Sequence, residues 1–489
     1  MRILFVASEA VPLAKTGGLA DVVGTLPPLL KSLGHDVRIL LPFYRSVQEE
    51  GLVLESCAQN LAVGDSGELP AAAVFLTRGK GEVPCYLLKR DDFYDRSQLY
   101  GTSGGDYYDN DVRFLYLCQS AFALCRELGF YPDVLHCHDW QAALVPAYLR
   151  HNFAGAPEFR HTRSVLTIHN LAYQGVFPAA SFSRTGLPDS FFSLEGMEFW
   201  GKANFLKAGI VTADVVTTVS PSYSREILTR EFGCGLEGVL RTRERDLLGI
   251  LNGADYAEWN PTADPHLAST YDPDRMGGKG VCKRELLKEM GLGSGGEGAP
   301  LLGMISRLAF QKGIDLVLAV VGEIRELGAR CVILGDGEER YMAECRQIQR
   351  SFPDSFAVRF AFDTPLAHRI LAGCDFLLMP SRYEPCGLNQ IHAMRYGTVP
   401  IVRATGGLRD TVTPFDSRTG EGTGFVFGPY EAQALSGAIR EAVAVSAAGG
   451  KGWRRLRHNC MKQDFSWERS AGAYVEVYER IRRARPGSP

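Results

Sequence analysis

Near its amino terminus the chain reads Lys15-Thr16-Gly17-Gly18-Leu19-Ala20-Asp21-Val22-Val23. This run follows an apolar, strand-like segment at Arg2–Ser8 and opens a helical pattern. The motif Thr-Gly-Gly-Leu-x-Asp-x-Val recurs at 405–412, directly after a second apolar segment at Val399–Ala404. A Gly-Gly pair at a helix start removes two Cβ atoms, so unpaired backbone N–H groups can approach a ligand with the helix dipole behind them. Two such turns predict a phosphate-bearing or hydroxyl-rich ligand held between two domains.

Short apolar runs alternate with helical patterns along the whole chain, which is typical of parallel sheets covered on both faces by helices. The fold class is therefore α/β, with two doubly wound, Rossmann-like domains. Ligands of such sheets bind at the carboxyl ends of the strands, so the site is predicted in a deep cleft between the domains. Helices are predicted at Asp111–Leu128, Asp315–Leu327 and Leu366–Ala372. Strands are predicted at Arg2–Ser8, Asp36–Pro42, Pro84–Arg90, Asp133–His138, Ser164–His169, Val215–Ser220, Leu301–Leu308, Arg330–Gly335, Val358–Phe362, Phe376–Ser381 and Val399–Ala404.

A chain of 489 residues is too long for one ordinary hydrophobic core, so two or three domains are expected. The first domain is predicted at 1–248 and the second at 249–465, with the crossing at Gly249–Pro261. A final amphipathic helix at 466–484 is predicted to return and pack on the first domain. The glycine-rich segment Gly293–Pro300 is interpreted as a mobile surface loop.

Composition excludes several classes of protein. With 45% hydrophobic and 22% charged residues the chain is that of a soluble globular protein, and a net charge of −3 provides no basic field for nucleic acid or an anionic membrane. It shows no signal-peptide pattern, and no apolar run approaches the roughly 20 residues of a membrane span. The twelve cysteines include no C-x-x-C pair. They predict buried thiols in a reducing cytoplasm, and neither a disulfide framework nor a zinc site.

Two cations flank a loop after the first strand of the second half, in Ser306-Arg307-Leu308-Ala309-Phe310-Gln311-Lys312-Gly313. Arg307 and Lys312 could clamp a diphosphate and stabilise the charge that grows on it as it leaves. The plainer alternative is two solvated charges, and Lys15 likewise could be a solvated lysine beside a glycine turn. The turn at Lys15 is neither a Walker A loop nor a G-x-G-x-x-G fingerprint, which argues against NTPase and dinucleotide functions.

Polar side chains follow three other predicted strands. In Tyr383-Glu384-Pro385-Cys386-Gly387 a carboxylate precedes a helix expected to start near Gly387, where it could bind sugar hydroxyls; a surface or capping glutamate is the alternative. In His136-Cys137-His138-Asp139-Trp140 the pattern His-x-His has no obvious third ligand, so no metal is predicted. Asp139 and Trp140 could project from the strand end and contact a carbohydrate, with Thr167–Asn170 ending the next strand in the same manner. Buried structural imidazoles are the alternative for these histidines.

Taken together, the ordered motifs resemble the bacterial glycogen synthase and plant starch synthase family over essentially the whole chain. The resemblance implies a GT-B fold and retaining transfer of glucose from ADP-glucose to the 4-hydroxyl at the non-reducing end of an α-1,4-glucan, in the cytoplasm, with no metal or other cofactor. The motifs that carry it are Ser8-Glu9, Lys15–Gly24, His138–Trp140, Thr167–Asn170, Phe205–Gly209, Val219–Pro221, Leu251–Gly253, Ser306–Gly313, Glu384–Leu388 and Thr405–Leu408.

The resemblance also implies roles for individual residues. Arg307 and Lys312 would neutralise the diphosphate, Glu384 would hold glucose hydroxyls, His169 would stabilise the anomeric carbon chiefly through its carbonyl, and Asp139 would lie near the acceptor hydroxyl. The acceptor proton would pass to the leaving phosphate in a front-face mechanism, and an enzymatic carboxylate nucleophile is the less favoured alternative. The implied substrate-binding residues are Lys15, Gly17, Gly18, Asp21, Asn170, Asn252, Phe362, Cys386, Gly387, Leu388, Asn389, Thr405, Gly406 and Gly407.

Three positions depart from the pattern of related enzymes. His392 stands where many glycosyltransferases carry a second glutamate, Asn389 replaces the usual threonine, and Phe362, in Ala361-Phe362 for the usual Gly-Tyr, could still stack on adenine. Two other functions stay open: a UDP-sugar-dependent transferase, and a catalytically silent glucan-binding protein. The oligomeric state is not predicted.

Overall fold

A computed structural model describes residues 1–64, 69–102, 104–293 and 298–483. The chain divides into two compact units. The first contains Met1–Val219, Ser224–Leu251 and the chain from Trp467 onward, and the second contains Ser220–Tyr223 and Asn252–Ser466. The division thus falls at 251/252, three residues after the predicted boundary, and the sequence did not predict that Ser220–Tyr223 belongs with the second unit. Residues 294–297 of the predicted loop and residue 484 of the predicted last helix lie outside the described ranges.

The first unit is built on one large sheet and two small ones. Its predicted strands are confirmed, with ends that move by at most two residues. In chain order the strands are β1 (Arg2–Val6), β2 (Asp36–Pro42), β3 (Glu55–Leu61), β4 (Ala72–Arg78), β5 (Pro84–Lys89), β6 (Gly101–Thr102), β7 (Gly105–Asp106), β8 (Val134–His138), β9 (Arg163–Ile168), β10 (Val176–Pro178), β11 (Glu198–Phe199), β12 (Lys202–Asn204), β13 (Val215–Thr218) and β14 (Leu247–Gly249).

The large sheet has nine strands in the order β14-β13-β9-β8-β1-β2-β5-β4-β3. It is parallel from β14 to β5, whereas β4 and β3 pair antiparallel. The expectation of a purely parallel sheet was therefore wrong at this edge. Exposed residues interrupt the buried ones here, as at Glu55, Ser56, Gln59 and Asn60 of β3, which is typical of an edge where one face of the sheet meets solvent.

The second unit contains one fully parallel sheet of six strands in the order β17-β16-β15-β18-β19-β20. The strand predicted at Val358–Phe362 starts two residues earlier and ends three residues earlier, so Phe362 follows the strand instead of ending it. The strands are β15 (Leu301–Ile305), β16 (Arg330–Leu334), β17 (Phe356–Arg359), β18 (Phe376–Met379), β19 (Val399–Arg403) and β20 (Phe425–Phe427).

Helices connect the strands in both units. The helix predicted at Asp315–Leu327 is two short helices, because Val320 leaves helical geometry (φ −104°, ψ 5°) between them. The helices are α1 (Gly18–Ser32), α2 (Arg45–Gln48), α3 (Asp91–Tyr94), α4 (Asn110–Glu127), α5 (Asp139–Ala142), α6 (Leu144–His151), α7 (Ala180–Ser183), α8 (Phe205–Thr212), α9 (Pro221–Glu226), α10 (Glu237–Thr242), α11 (Gly277–Glu289), α12 (Ile314–Ala319), α13 (Val321–Glu326), α14 (Glu339–Ser351), α15 (Thr364–Gly373), α16 (Asn389–Arg395), α17 (Gly406–Thr411), α18 (Ala432–Ala448), α19 (Gly450–Met461) and α20 (Trp467–Arg483).

The last helix, α20, belongs to the first unit and packs against α1. Its apolar face is buried at Tyr474, Val477 and Tyr478, and the Tyr478 hydroxyl hydrogen bonds to Nδ1 of His136 at 2.7 Å. The end of the described chain is thereby tied to the central strand β8. None of the helices in the described ranges is long and apolar enough to cross a membrane.

Candidate functional site

In the second unit, the candidate residues follow the carboxyl ends of three neighbouring strands, β15, β18 and β19. Lys312 comes after β15 and Glu384 after β18, and the structure brings the two side chains together. The Lys312 ammonium donates to both carboxylate oxygens of Glu384, at 2.9 and 2.7 Å, and the Ser381 hydroxyl donates to Oε2 at 3.0 Å. Glu384 is only 5% exposed. Its negative charge is thus matched by a cation and a hydroxyl in a largely buried place.

The loop that carries Lys312 is held by a close backbone approach. Gly313 has a φ of 73°, and a Cβ there would lie 2.1 Å from the carbonyl oxygen of Pro380. Only glycine fits, so the loop after β15 lies directly on the end of the segment after β18. Arg307 is exposed, and among the described residues its guanidinium donates only to Gln311, at 3.5 Å.

The loop from Glu384 to Asn389 also contains a glycine with a positive φ. Gly387 has a φ of 72°, and α16 begins at Asn389, two residues later than expected. The side-chain amide of Asn389 donates to the carbonyl of Ile305 at 2.8 Å, which ties the helix start to the end of β15. One donor of this residue is therefore already used within the protein.

Cys386 and Asn252 are buried neighbours in this unit. The Cys386 thiol is 5% exposed and accepts a hydrogen bond from the backbone N–H of Asn252. Burial raises the pKa of the thiol to about 12, so it stays protonated and is not a nucleophile at neutral pH. The Asn252 side-chain Oδ1 is buried with no hydrogen-bond partner in the described residues.

The two Thr-Gly-Gly copies differ in what their glycines do. A Cβ on Gly407 would lie 2.0 Å from the Cys386 carbonyl oxygen, and a Cβ on Gly406 would lie 1.9 Å from that of Glu384. The Gly407 amide also donates to the Glu384 carbonyl at 3.1 Å. The expectation that both copies leave room and amides for a ligand was therefore wrong for Gly407, since this pair holds the Glu384 loop. Thr405 is buried beside it.

His392 and Phe362, two of the positions that depart from the pattern of related enzymes, lie in different surroundings. His392 is buried and its ring stacks on Trp259, with centroids 4.2 Å apart, while His368 stacks on the other side at 3.8 Å. The His392 imidazole, at the position where many glycosyltransferases carry a glutamate, is thus one ring of an aromatic stack. Phe362 is 86% exposed and follows the end of β17.

In the first unit, the turn after β1 is organised by Glu9, a residue to which sequence reasoning gave no role. Its carboxylate accepts hydrogen bonds from the Thr16 backbone N–H and hydroxyl, at 2.5 and 2.7 Å, and from the Gly17 backbone N–H at 3.2 Å. The Tyr100 hydroxyl also donates to it at 2.5 Å. The Gly17 amide is therefore already bonded. The sequence signals were its place in the Ser8-Glu9 motif and its position three residues after β1.

Around this turn, Gly17 and Gly18 have open space where a Cβ would be, with no atom of the described residues within 4 Å. Lys15 forms an ion pair with Asp21 at 2.7 Å, and its side chain is 39% exposed. Burial raises the pKa of Asp21, and the Lys15 ammonium opposes that effect. The first copy of the motif thus keeps the free space that the second one lacks.

The ends of the adjacent strands β8 and β9 bring three polar residues together. Nδ1 of His138 lies 3.0 Å from Nε2 of His169, and the Asp139 carboxylate accepts the backbone N–H of His169 at 2.7 Å. Asp139 has a φ of 53°, an unusual value for a residue with a side chain. Asn170 caps the following turn by accepting the Ala172 amide at 3.1 Å.

Burial sets the ionisation of this group. It lowers the pKa of His169 to about 3 and the pKa of His138 well below its ordinary value, so both rings are neutral at pH 7. Burial raises the pKa of Asp139 to about 7, against the backbone hydrogen bond from His169. Sequence reasoning missed His138 as the partner of His169, although the two strand ends were predicted side by side.

Trp140 corrects one prediction. It is 8% exposed, packs edge-on against Phe114 and Phe177, and lies so close to Gly175 that a Cβ there would be 2.4 Å from its ring. The indole is a core side chain and does not project from the strand end.

Comparison with known proteins identifies the family of the chain. A family model described as "Starch synthase catalytic domain" matches residues 2–242, and one described as "Glycosyl transferases group 1" matches residues 294–460. Glycogen synthase 2 of Geobacter metallireducens is 46% identical over 98% of both chains, and glycogen synthase 2 of Geobacter sulfurreducens is 45% identical over 100% of both.

Solved structures agree as well. The catalytic domain of starch synthase IV from Arabidopsis thaliana, bound to ADP and acarbose, is 34% identical, covers 99% of both chains and gives a TM-score of 0.91. Sucrose-phosphate synthase from Thermosynechococcus elongatus, at 18% identity and a TM-score of 0.61, shows the fold alone. The predicted family and the GT-B class with two Rossmann-like domains are confirmed. The chain belongs to the glycogen and starch synthase family, whose members are glycosyltransferases of glucan synthesis.

Proposed function

We propose that this enzyme transfers glucose from ADP-glucose to the 4-hydroxyl at the non-reducing end of an α-1,4-glucan, with retention at the anomeric carbon. The observation that carries the proposal is the pair of Lys312 with the buried Glu384, joined by Ser381 at the carboxyl ends of β15 and β18. A starch synthase relative with the same fold has been solved with ADP and acarbose bound, which supports an adenine nucleotide and a glucan-like ligand here.

The second unit provides the donor chemistry. The Lys312 ammonium has three N–H groups, and it donates to both carboxylate oxygens of Glu384. A diphosphate beside it accepts the remaining N–H, and exposed Arg307 adds the second positive charge. As the bond from C1 to the diphosphate oxygen breaks, its electron pair goes to that oxygen, where these two cations stabilise it. The Glu384 carboxylate then accepts hydrogen bonds from glucose hydroxyls. Phe362, with its exposed ring, stacks on the adenine.

The first unit provides neutral polar groups. His169 carries no charge at neutral pH, so its backbone carbonyl and ring contact the sugar without repelling the positive charge that develops at C1. The Asp139 carboxylate fixes the His169 backbone by accepting a hydrogen bond from the His169 N–H, and it lies near the acceptor. The acceptor oxygen forms the new bond to C1 on the face that the diphosphate leaves, and its proton passes to the departing phosphate oxygen. Lys15 and Gly18 contact the phosphates and glucose at the open turn.

A donor competition assay tests the proposal. The full chain is given equimolar ADP-glucose and UDP-glucose with maltotetraose, and released ADP and UDP are measured together with product length. We expect ADP release, elongation by single glucose units and an α-linkage in the proton NMR spectrum of the product. Preferential UDP release would favour the UDP-sugar-dependent alternative. Binding of glycogen with no nucleotide release would favour the silent glucan-binding protein.

A further inference from the structure

Three side chains to which the proposed reaction gives no role meet beside the loop that carries Arg307 and Lys312. Phe310 lies within that loop, Arg382 is the third residue after β18, and Tyr430 is the third residue after β20. The Arg382 guanidinium carbon lies 3.9 Å from the centre of the Phe310 ring and 4.2 Å from that of the Tyr430 ring. The ring centres are 6.2 Å apart and the rings are inclined at 68°. The guanidinium therefore occupies the angle between them, and the three residues form an arginine corner.

Backbone hydrogen bonds join the same segments. The Arg382 N–H donates to the carbonyl oxygen of Gln311 at 2.9 Å, and the Gln311 side-chain amide donates to the carbonyl oxygen of Tyr383 at 3.4 Å. Gln311 directly precedes Lys312, and Tyr383 directly precedes Glu384. The arginine corner is thus adjacent in the chain to both members of the ion pair.

The two remaining sides of the corner are also fixed. The Tyr430 hydroxyl donates to the Asp315 carboxylate, at 2.7 Å, in the first turn of α12. Arg403, the last residue of β19, donates to the carbonyl oxygen of Gly428 at 3.0 Å and to that of Arg382 at 2.5 Å. The ring of Tyr430 and the backbone of Arg382 are therefore held by neighbouring strands, and Phe310 packs against a framework that is already in place.

The arginine corner holds its cation without a carboxylate. Arg382 is exposed, and in the parts of the chain that the structure describes it forms no ion pair. The faces of the two rings attract the guanidinium through their quadrupoles. A planar, weakly hydrated guanidinium also stacks on a ring face, whereas a compact, strongly hydrated ammonium does not. The contact thus depends on the shape of the arginine head as well as on its charge.

We propose that Arg382 is a positioning residue for the donor site: packed on Phe310 and Tyr430, it fixes the loop so that Arg307 and Lys312 lie in place before the diphosphate binds. This inference rests on the proposed function, because that function assigns the diphosphate to this loop. A loop that is ordered in advance loses less conformational entropy when its ligand binds. Once the donor is bound, the same two cations stabilise the leaving group. Loss of the corner should therefore weaken donor binding more than it slows turnover.

The kinetic test compares four variants of the full chain with a matched control. Arg382→Ala should raise the KM for ADP-glucose about 10-fold, change kcat by less than about 3-fold, and leave the KM for glycogen unchanged. Arg382→Lys should resemble Arg382→Ala, because its charge remains but its planar group is lost. Phe310→Leu should also raise the donor KM, whereas Phe310→Tyr keeps the ring and should restore it. Arg325→Ala is the control, since Arg325 is an exposed arginine of the same unit whose guanidinium carbon lies 5.2 Å from the Phe352 ring.

A second measurement does not depend on activity. Hydrogen–deuterium exchange of the ligand-free chain, followed by mass spectrometry, reports on the peptide that covers residues 306–313. We expect faster exchange there in Arg382→Ala and in Phe310→Leu, and wild-type exchange in Phe310→Tyr and Arg325→Ala. The double variant Arg382→Ala/Phe310→Leu should have the donor KM of either single variant, because both substitutions remove one contact.

These results separate positioning from a direct contact with the donor. Wild-type donor KM in Arg382→Lys, or multiplied effects in the double variant, would show that Arg382 acts on the donor through its charge alone, and the proposal would fail. Unchanged exchange of residues 306–313 in Arg382→Ala would overturn it whatever the donor is. Faster exchange in Arg382→Ala, together with no ADP release by the wild type, would overturn the proposed reaction and keep the role of Arg382 in fixing the loop.

Discussion

Glu384 and Lys312 form a pair in which each residue depends on the other. The Glu384 side chain is 7% exposed and that of Lys312 is 20% exposed, so much of the cost of removing both from water is offset by their two hydrogen bonds and by Ser381. Because Lys312 retains contact with water, loss of the carboxylate leaves a cation that can be solvated. Loss of the lysine leaves a nearly buried anion.

We therefore expect Glu384→Ala to lower turnover by about 10²–10⁴-fold with the fold intact, since a group that acts on the reacting sugar is lost while Lys312 can be hydrated. Lys312→Ala should lower turnover similarly and also reduce the melting temperature, because Glu384 is left without its cation. Turnover with ADP-glucose and circular dichroism melting measure both effects. Arg418→Ala, which breaks an exposed pair with Asp416, is the control and should change neither. Wild-type turnover in Glu384→Ala would remove this pair from the site.

At the scale of elements, the two Thr-Gly-Gly turns start helices α1 and α17 and look equivalent in sequence. Their surroundings differ, since Gly17 faces open space and Gly407 lies against Cys386. The second turn is a packing contact between two loops. It positions Glu384 through the hydrogen bond from the Gly407 amide to the Glu384 carbonyl.

The same substitution in the two copies should therefore have different results. Gly407→Ala places a Cβ 2.0 Å from the Cys386 carbonyl oxygen, and the loop must shift, at a cost of about 2–4 kcal/mol in unfolding free energy. Turnover should fall with it, because Glu384 moves. Gly17→Ala is the matched control: its φ is −158° and no described atom is within 4 Å, so its urea unfolding curve should superimpose on that of the wild type. Equal loss of stability in both variants would contradict this distinction.

How far the sequence predicts these elements depends on the kind of strand. Buried parallel strands such as Asp36–Pro42 were predicted to the residue, because a continuous apolar run has few other interpretations. The antiparallel edge strands β3 and β4 were missed: four of the seven residues of β3 are polar and exposed, and β4 ends in the polar pair Thr77-Arg78. In the site, residue types at strand ends predicted Lys312 and Glu384 as candidates. Their direct pairing, the role of Glu9 and the burial of Trp140 depend on side-chain packing that no spacing in the sequence encodes.

At the scale of the whole molecule, stability in acid depends on titratable groups in β8 and at the adjacent ends of β8 and β9. Burial lowers the pKa of His136 and of His169 to about 3, and it lowers the pKa of His138 as well. In the unfolded chain these histidines take up protons near pH 6.5, whereas in the folded chain they stay neutral until far lower pH. The unfolded state then binds more protons as pH falls, so the three groups destabilise the fold between pH 6.5 and about 3.

Asp139 acts in the opposite direction. Burial raises its pKa to about 7, so between about pH 4 and 7 the folded state holds a proton that the unfolded state has lost. Its contribution to stability is full below the unfolded pKa and is lost as pH rises through 7. Three histidines oppose one aspartate, so the balance favours loss of stability in acid.

We expect the wild-type unfolding free energy to fall by about 2–4 kcal/mol between pH 6.5 and 5, because each histidine that stays neutral contributes a loss of up to about 2 kcal/mol over that interval and Asp139 returns about as much as one of them. Asp139→Asn removes the opposing group and should make the loss steeper by about 1–2 kcal/mol. Urea titrations at several pH values, followed by circular dichroism, measure both slopes. Asp92→Asn, at an exposed carboxylate, is the control and should leave the wild-type slope unchanged. A wild type that is equally stable at pH 5 and 6.5, or parallel slopes for Asp139→Asn and the wild type, would show that these buried groups do not govern stability in acid.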